Sequence, residues 1–164
     1  ANNSGDASTF NDSEGVLMVE GSLLDVSQDF NKISISDGSS AENRIEFIYL
    51  NDNEIKIEIG LTNGFNETLN VGSSESFNKI AVVYNSTNAS VFINGFNLVT
   101  DTMSSLSGLS QLQFNRFNSN TENFYGNTKQ IQYFDSALND SDLEKLTSWV
   151  SFTDMANGQL YTIE

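Results

Sequence analysis

Between residues 14 and 134 apolar and polar side chains repeatedly alternate with a period of two, and that alternation restricts the chain to strands. Residues 54–61 show it most cleanly. Ile55, Ile57, Ile59 and Leu61 share one face while Glu54, Lys56, Glu58 and Gly60 share the other, as in a strand with one side on a core and one in water. Gln111, Gln113 and Asn115 alternate with Leu112, Phe114 and Arg116 in the same way over 111–117. Residues 15–21, 31–36, 44–50, 79–84, 90–94 and 129–134 also read as strands. Asp37-Gly38, Asn63-Gly64 and Asn94-Gly95 supply the positive-φ residues that tight connections need. Asn94-Gly95 lies between Val91-Phe92-Ile93 and Phe96-Asn97-Leu98, which predicts a two-residue hairpin.

Helical signals come only at the end. Asn139 can cap a helix over 140–149, with Asp142 three residues on and Leu138, Leu143, Leu146 and Trp149 or Val150 on one stripe. A second short helix can start at Ser151, with Asp154 at its third position and Asn157-Gly158 as its stop. Many short strands followed by a small capping helix predict an all-β fold, a sandwich of two antiparallel sheets. Residues 1–13 read as an N-terminal segment, 14–164 as one domain, and 118–127 as a loop. Trp149, Phe47, Phe77, Phe92, Phe114 and Phe134 sit inside periodic apolar segments and are expected in the core.

Composition removes whole classes of chemistry. The 164 residues contain no His, no Cys and no Pro, so His- or Cys-based nucleophilic triads, thiolates and ordinary zinc sites are excluded. The net charge of −15 disfavours phosphate backbones and anionic lipid, which leaves neutral ligands and cations and predicts no nucleic-acid partner. No apolar run long enough to span a bilayer is seen, so no membrane insertion is expected, and the polar N-terminus does not read as a signal peptide. Sequons start at Asn2, Asn11, Asn66, Asn85, Asn88 and Asn139, a frequency that abundant Asn, Ser and Thr mostly explain by chance.

Four phrases occur in a telling order: EGVLMVE at 14–20, SISDGSSAENRI at 34–45, KIAVVYNSTNASVFING at 79–95 and GNTKQIQYFDSALNDSDLEKLTSW at 126–149. Together they resemble the laminin-G-like, concanavalin A-type lectin modules near the C-termini of phage tail fibres and other virion structural proteins. The resemblance covers roughly residues 14–164. It implies a concanavalin A-like jelly roll, non-enzymatic, displayed on the virion surface as host-attachment module and binding host-surface glycans, with a homo-oligomer (a trimer) formed through the parent fibre. A purely structural module of the virion, used for assembly or decoration with no small ligand, is the alternative.

Sugar recognition calls for planar polar side chains beside an aromatic ring. The densest such cluster is the loop 118–125, with Asn120, Asn123 and Tyr125, flanked by Asn115 and Arg116. Asp37, Asn43 and Arg44 form another near Tyr49. Catalysis finds no support: Glu54 and Glu58 have Lys56 between them, and Asp140, Asp142 and Glu144 fall on the predicted helix, neither matching the paired carboxylates of a glycosidase. No cofactor is required. Calcium is compatible with the acidic loops if Asp6, Asp12, Asp37, Glu42, Asp101 and Asp135 converge, although the 37–43 loop lacks the EF-hand pattern.

Overall fold

Alternation becomes architecture strand by strand in a computed structural model, which describes residues 5–27, 30–62, 64–119 and 121–158. The strands are β1 (Glu14–Leu23), β2 (Asn31–Ser36), β3 (Arg44–Tyr49), β4 (Glu54–Ile59), β5 (Phe65–Asn70), β6 (Asn78–Asn85), β7 (Asn88–Ile93), β8 (Phe96–Thr102), β9 (Gln111–Gln113) and β10 (Gly126–Phe134), followed by helices α1 (Asp140–Thr147) and α2 (Phe152–Gly158). They form two antiparallel five-stranded sheets in the orders β10-β1-β6-β7-β8 and β5-β4-β3-β2-β9. This is the β-sandwich with two short C-terminal helices that the periodicity predicts. Among the described residues, no helix is long and apolar enough to cross a membrane.

The core lies between the sheets. Ile33 and Ile35 of β2, Ile45, Phe47 and Tyr49 of β3, and Ile55, Ile57 and Ile59 of β4 meet Leu17, Val19, Ile80, Val82, Val91 and Ile93 from the opposite sheet. β1 is apolar on both faces: Val16 and Met18 turn outward and pack with Ala81, Phe92 and Leu143 of α1. A strand covered on both sides reads as a continuous apolar run, which is why GVLMV lacks alternation. At the β7–β8 hairpin Ile93 pairs with Phe96, and Asn94 and Gly95 take φ of 51° and 92°, the two positive values of a type I′ turn.

Several boundaries differ from expectation. α1 ends at Thr147, because the Thr147 hydroxyl donates back to the Leu143 carbonyl and Ser148 is extended. Trp149 is only half-buried, with Lys79 Nζ 4.8 Å from its ring centroid; Phe77 is similarly half-buried beneath Lys129 at 4.2 Å. Phe47 and Phe92 are fully buried, and Phe114 and Phe134 pack on the two clusters. Residues 5–13 form no strand, yet Phe10 joins the core and the Asp12 carboxylate accepts the Gly108 and Leu109 N–H groups at 2.7 and 2.9 Å. The described part of the N-terminal segment is thus integral to the sandwich.

Two buried tyrosines carry opposite expectations. The Tyr84 hydroxyl donates to the Asn11 carbonyl at 2.5 Å and lies 2.8 Å from the Tyr133 hydroxyl. The Tyr49 hydroxyl is buried with no hydrogen-bond partner, and burial pushes its ionisation far above the ordinary value. Removing an unmade donor is nearly free, whereas removing a bonded one strands its partners. Tyr49→Phe should therefore leave stability unchanged or raise it, and Tyr84→Phe should lower it by about 1–2 kcal/mol in urea denaturation.

Candidate functional site

Three adjacent strands turn their even-numbered residues away from the core: Lys32, Ser34 and Ser36 from β2, Arg44, Glu46 and Ile48 from β3, and Glu54, Lys56 and Glu58 from β4. In this register Glu46 stands directly opposite Glu58. Facing carboxylates repel, and Arg44 resolves the conflict. Its Nε lies 3.0 Å from Glu46, its Nη2 2.7 Å from Glu58, and its Nη1 donates to the Ala41 carbonyl. Lys32 Nζ approaches Glu46 at 3.5 Å and Lys56 Nζ approaches Glu58 at 2.5 Å. Each carboxylate therefore faces two cations, and Glu46 is only 1% exposed.

A segment leaving β9 roofs part of this face. The strand expected over 111–117 stops at Gln113 because the chain turns onto β2 and β3 through bonds to side chains instead of a ladder. Ser34 Oγ donates to the Asn115 carbonyl at 3.0 Å, Ser36 Oγ to the Phe117 carbonyl at 3.4 Å, and the Phe117 N–H donates to Glu46 Oε1 at 3.4 Å. The Phe117 ring is buried, with the guanidinium carbons of Arg44 and Arg116 at 5.0 and 5.7 Å from its centroid. Farther along, Glu122 Oε2 lies 2.7 Å from Lys32 Nζ and Glu122 Oε1 3.4 Å from Arg116 Nη1.

These groups, with Phe30 and Leu61 at the rim, enclose an open cavity of about 240 Å³. That is below the ~300–1,000 Å³ of drug-sized pockets. Both arginines of the chain line it, and four of its seven Lys plus Arg residues (Lys32, Arg44, Lys56 and Arg116) lie on this face or its roof. In a protein of net charge −15 this face gathers four cations, each of them paired with a glutamate of the same face or its roof. Among the described residues three non-glycine positions take positive φ, and two of them, Phe30 at 62° and Glu122 at 55°, line the cavity. Such backbone strain concentrates at functional sites.

The carboxylates on and around this face make stability acid-sensitive. Burial pushes Glu58 up, but the contacts with Lys56 and Arg44 outweigh it and hold the carboxyl below its usual range. Asp37 is likewise pushed up by burial and brought below its ordinary value by the N–H groups of Ser40 and Ser39, and Glu42 is lowered by the Thr62 N–H and hydroxyl. A carboxyl lowered on folding stabilises fully above its unfolded pKa and loses that contribution as pH falls through the folded one. The urea midpoint should hold from neutrality to the ordinary carboxylate range and then fall steadily toward about pH 3.

The candidates named from sequence part company here. Arg44 and Arg116 line the cavity. Asn115 is buried beneath the roof, Asn123 pairs by backbone bridge with Lys32, and Tyr125 is exposed with its N–H donating to Asn31 Oδ1. Asn120 lies outside the described residues. Asp37 and Asn43 bond one another at 2.9 Å while Asp37 also accepts from the Ser39 and Ser40 N–H groups, a turn brace between β2 and β3. Sequence reasoning missed Lys32, Glu46 and Phe117, reached Glu122 only as part of the loop 118–125, and weighed Glu58 only as a catalytic carboxylate. The available signal was charge at outward positions of three consecutive strands. Among the described residues, no three acidic side chains are placed to hold a metal ion together.

The family model of the Jacalin-like lectin domain matches residues 5–137. No curated protein matches the chain by sequence. Among solved structures, the CBM40 of the Ruminococcus gnavus IT-sialidase bound to α2,3 sialyllactose superposes with a TM-score of 0.69 at 16% identity, over 90% of this chain and 94% of that one. The leech intramolecular trans-sialidase gives 0.66 at 18% identity, over 87% of this chain and 24% of the enzyme. Domain 4 of the Geobacillus stearothermophilus arabinanase AbnA, in complex with arabinotriose, gives 0.60 at 11%, over 88% and 70%. At these identities the likeness is one of fold.

Proposed function

Because the chain belongs to the Jacalin-like lectin domain family, we propose that it is a non-catalytic glycan-binding module whose site is the cavity on the outer face of β2, β3 and β4, and whose preferred ligand is a sugar bearing a carboxylate. The observation that carries this is Arg116, 44% exposed at the mouth and set beside the buried Phe117 ring, next to Lys32. A guanidinium fork matches a carboxylate in two parallel hydrogen bonds, which a hydroxyl cannot reproduce. The sialyllactose complex of the R. gnavus module supports an acidic sugar, and the arabinotriose complex shows that a relative of this fold also takes a neutral one.

The same geometry argues against catalysis. A glycosidase needs one carboxyl held protonated, whereas Glu58 is held below the usual range and Glu46 is clamped by Arg44 and Lys32. The proposal extends to the setting that the sequence phrases suggest: a laminin-G-like or concanavalin A-like module on a phage fibre or virion surface, attaching to host glycans. A small site of this kind binds weakly alone, and display in several copies raises avidity by about 10²–10⁴.

Calorimetric titration with α2,3 sialyllactose, lactose and arabinotriose is the test. Sialyllactose should bind and lactose, lacking the carboxylate, should bind far more weakly, with no change on adding a chelator. Equal affinity for all three would remove the acidic-sugar assignment, and no binding to any would remove the glycan site.

A further inference from the structure

We propose that the Glu122 carboxylate is a resident occupant of the seat that a ligand carboxylate takes, so that binding exchanges one carboxylate for another and Glu122 sets the affinity threshold for acidic sugars. This rests on the glycan-binding reading of the cavity and specifies what a ligand must displace.

The seat is defined by elimination. Arg44 is committed at three nitrogens, to Glu46, Glu58 and the Ala41 carbonyl, so an incoming anion finds no outlet there. Lys32 and Arg116 remain, and Glu122 already bridges them at 2.7 and 3.4 Å. The cavity is layered accordingly. Glu46 at its floor is 1% exposed and cannot leave without stranding Lys32 and Arg44, whereas Glu122 at the mouth is 27% exposed and can swing into water.

The backbone points the same way. Glu122 sits at φ 55°, a left-handed conformation that an ordinary L-residue disfavours. Its N-terminal neighbour Thr121 accepts the Arg116 N–H, and its own carbonyl accepts the Lys32 N–H at 3.2 Å, so the loop is pinned on both sides with the carboxylate turned inward. A solvated glutamate would need neither the strain nor the pins. Its placement makes it an intramolecular competitor for anions, and neutral sugars, which need no seat between two cations, escape that competition.

The test compares wild type with Glu122→Gln and Glu122→Asn by calorimetry, with Asn chosen because it tolerates positive φ. Both variants should bind α2,3 sialyllactose about five- to tenfold more tightly than wild type, with lactose unchanged. If wild type binds sialyllactose and both variants bind it equally or more weakly, the exchange is overturned while the glycan site stands. If none of the three binds it, the glycan reading falls, and the seat is decided by sodium acetate, following the Arg116 Nε–H resonance against a sodium chloride control. A saturable shift in Glu122→Gln that is absent in wild type upholds the seat. Silence in Glu122→Gln overturns it.

Discussion

Arg44→Ala should be the most damaging single substitution on the outer face of β2, β3 and β4, lowering stability by about 3–5 kcal/mol, because it leaves the buried Glu46 and the half-buried Glu58 facing one another across the β3–β4 ladder. For a chain of this length that is a fall of roughly 6–20 °C in Tm. The cause is the stranded charge and not the lost contact, so the effect should shrink when the charges go together. Arg44→Met combined with Glu46→Gln and Glu58→Gln should recover most of the loss in urea denaturation. If the triple variant is as unstable as Arg44→Ala, the stacking of the Arg44 guanidinium on the Phe117 ring matters more than the ion knot.

Arg116→Ala should do the reverse, sparing the fold and removing the ligand. Its side chain is 44% exposed and its pairing with Glu122 at 3.4 Å is long, so stability should change by less than about 1 kcal/mol. A hydrogen bond to a charged group contributes about 1.5–3 kcal/mol, so sialyllactose affinity should fall roughly ten- to hundredfold. Arg116→Lys should restore only part of it, since an ammonium supplies charge without the planar fork. Retained affinity in Arg116→Ala with an unchanged fold would move the carboxylate seat elsewhere.

The sandwich was legible because β2, β3 and β4 alternate, β1, β6 and β7 read as short apolar runs, and the Asn94-Gly95 turn fixes a hairpin register. The strand β5 was not, because on this edge only Phe65 is fully buried and the rest reads as a polar loop. β8 was implied by the hairpin alone, its side chains being mostly exposed. In the site, the two arginines stood out as rare cations near Asn-rich loops. Lys32, Glu46 and Glu58 look in sequence like solvated strand faces, and what hides them is the roof over 114–123. That roof is held by Ser34, Ser36 and Glu46 bonding to backbone, contacts that follow no period. Asp37 and Asn43 show the converse difficulty: the planar polar groups that suit a sugar are the same groups that brace a turn, and here they brace one.

The most direct measurement is a residue-resolved map of binding: an NMR titration of the isotope-labelled chain with α2,3 sialyllactose, followed through the backbone amides and the arginine Nε–H groups. The largest shifts should fall on Arg116, Phe117 and Glu122, with smaller ones on Phe30 and Lys32, and the loop at Asp37 and Asn43 should stay still. Shifts confined to another part of the sandwich, such as the exposed Phe96 and Leu98 on β8, would contradict the account.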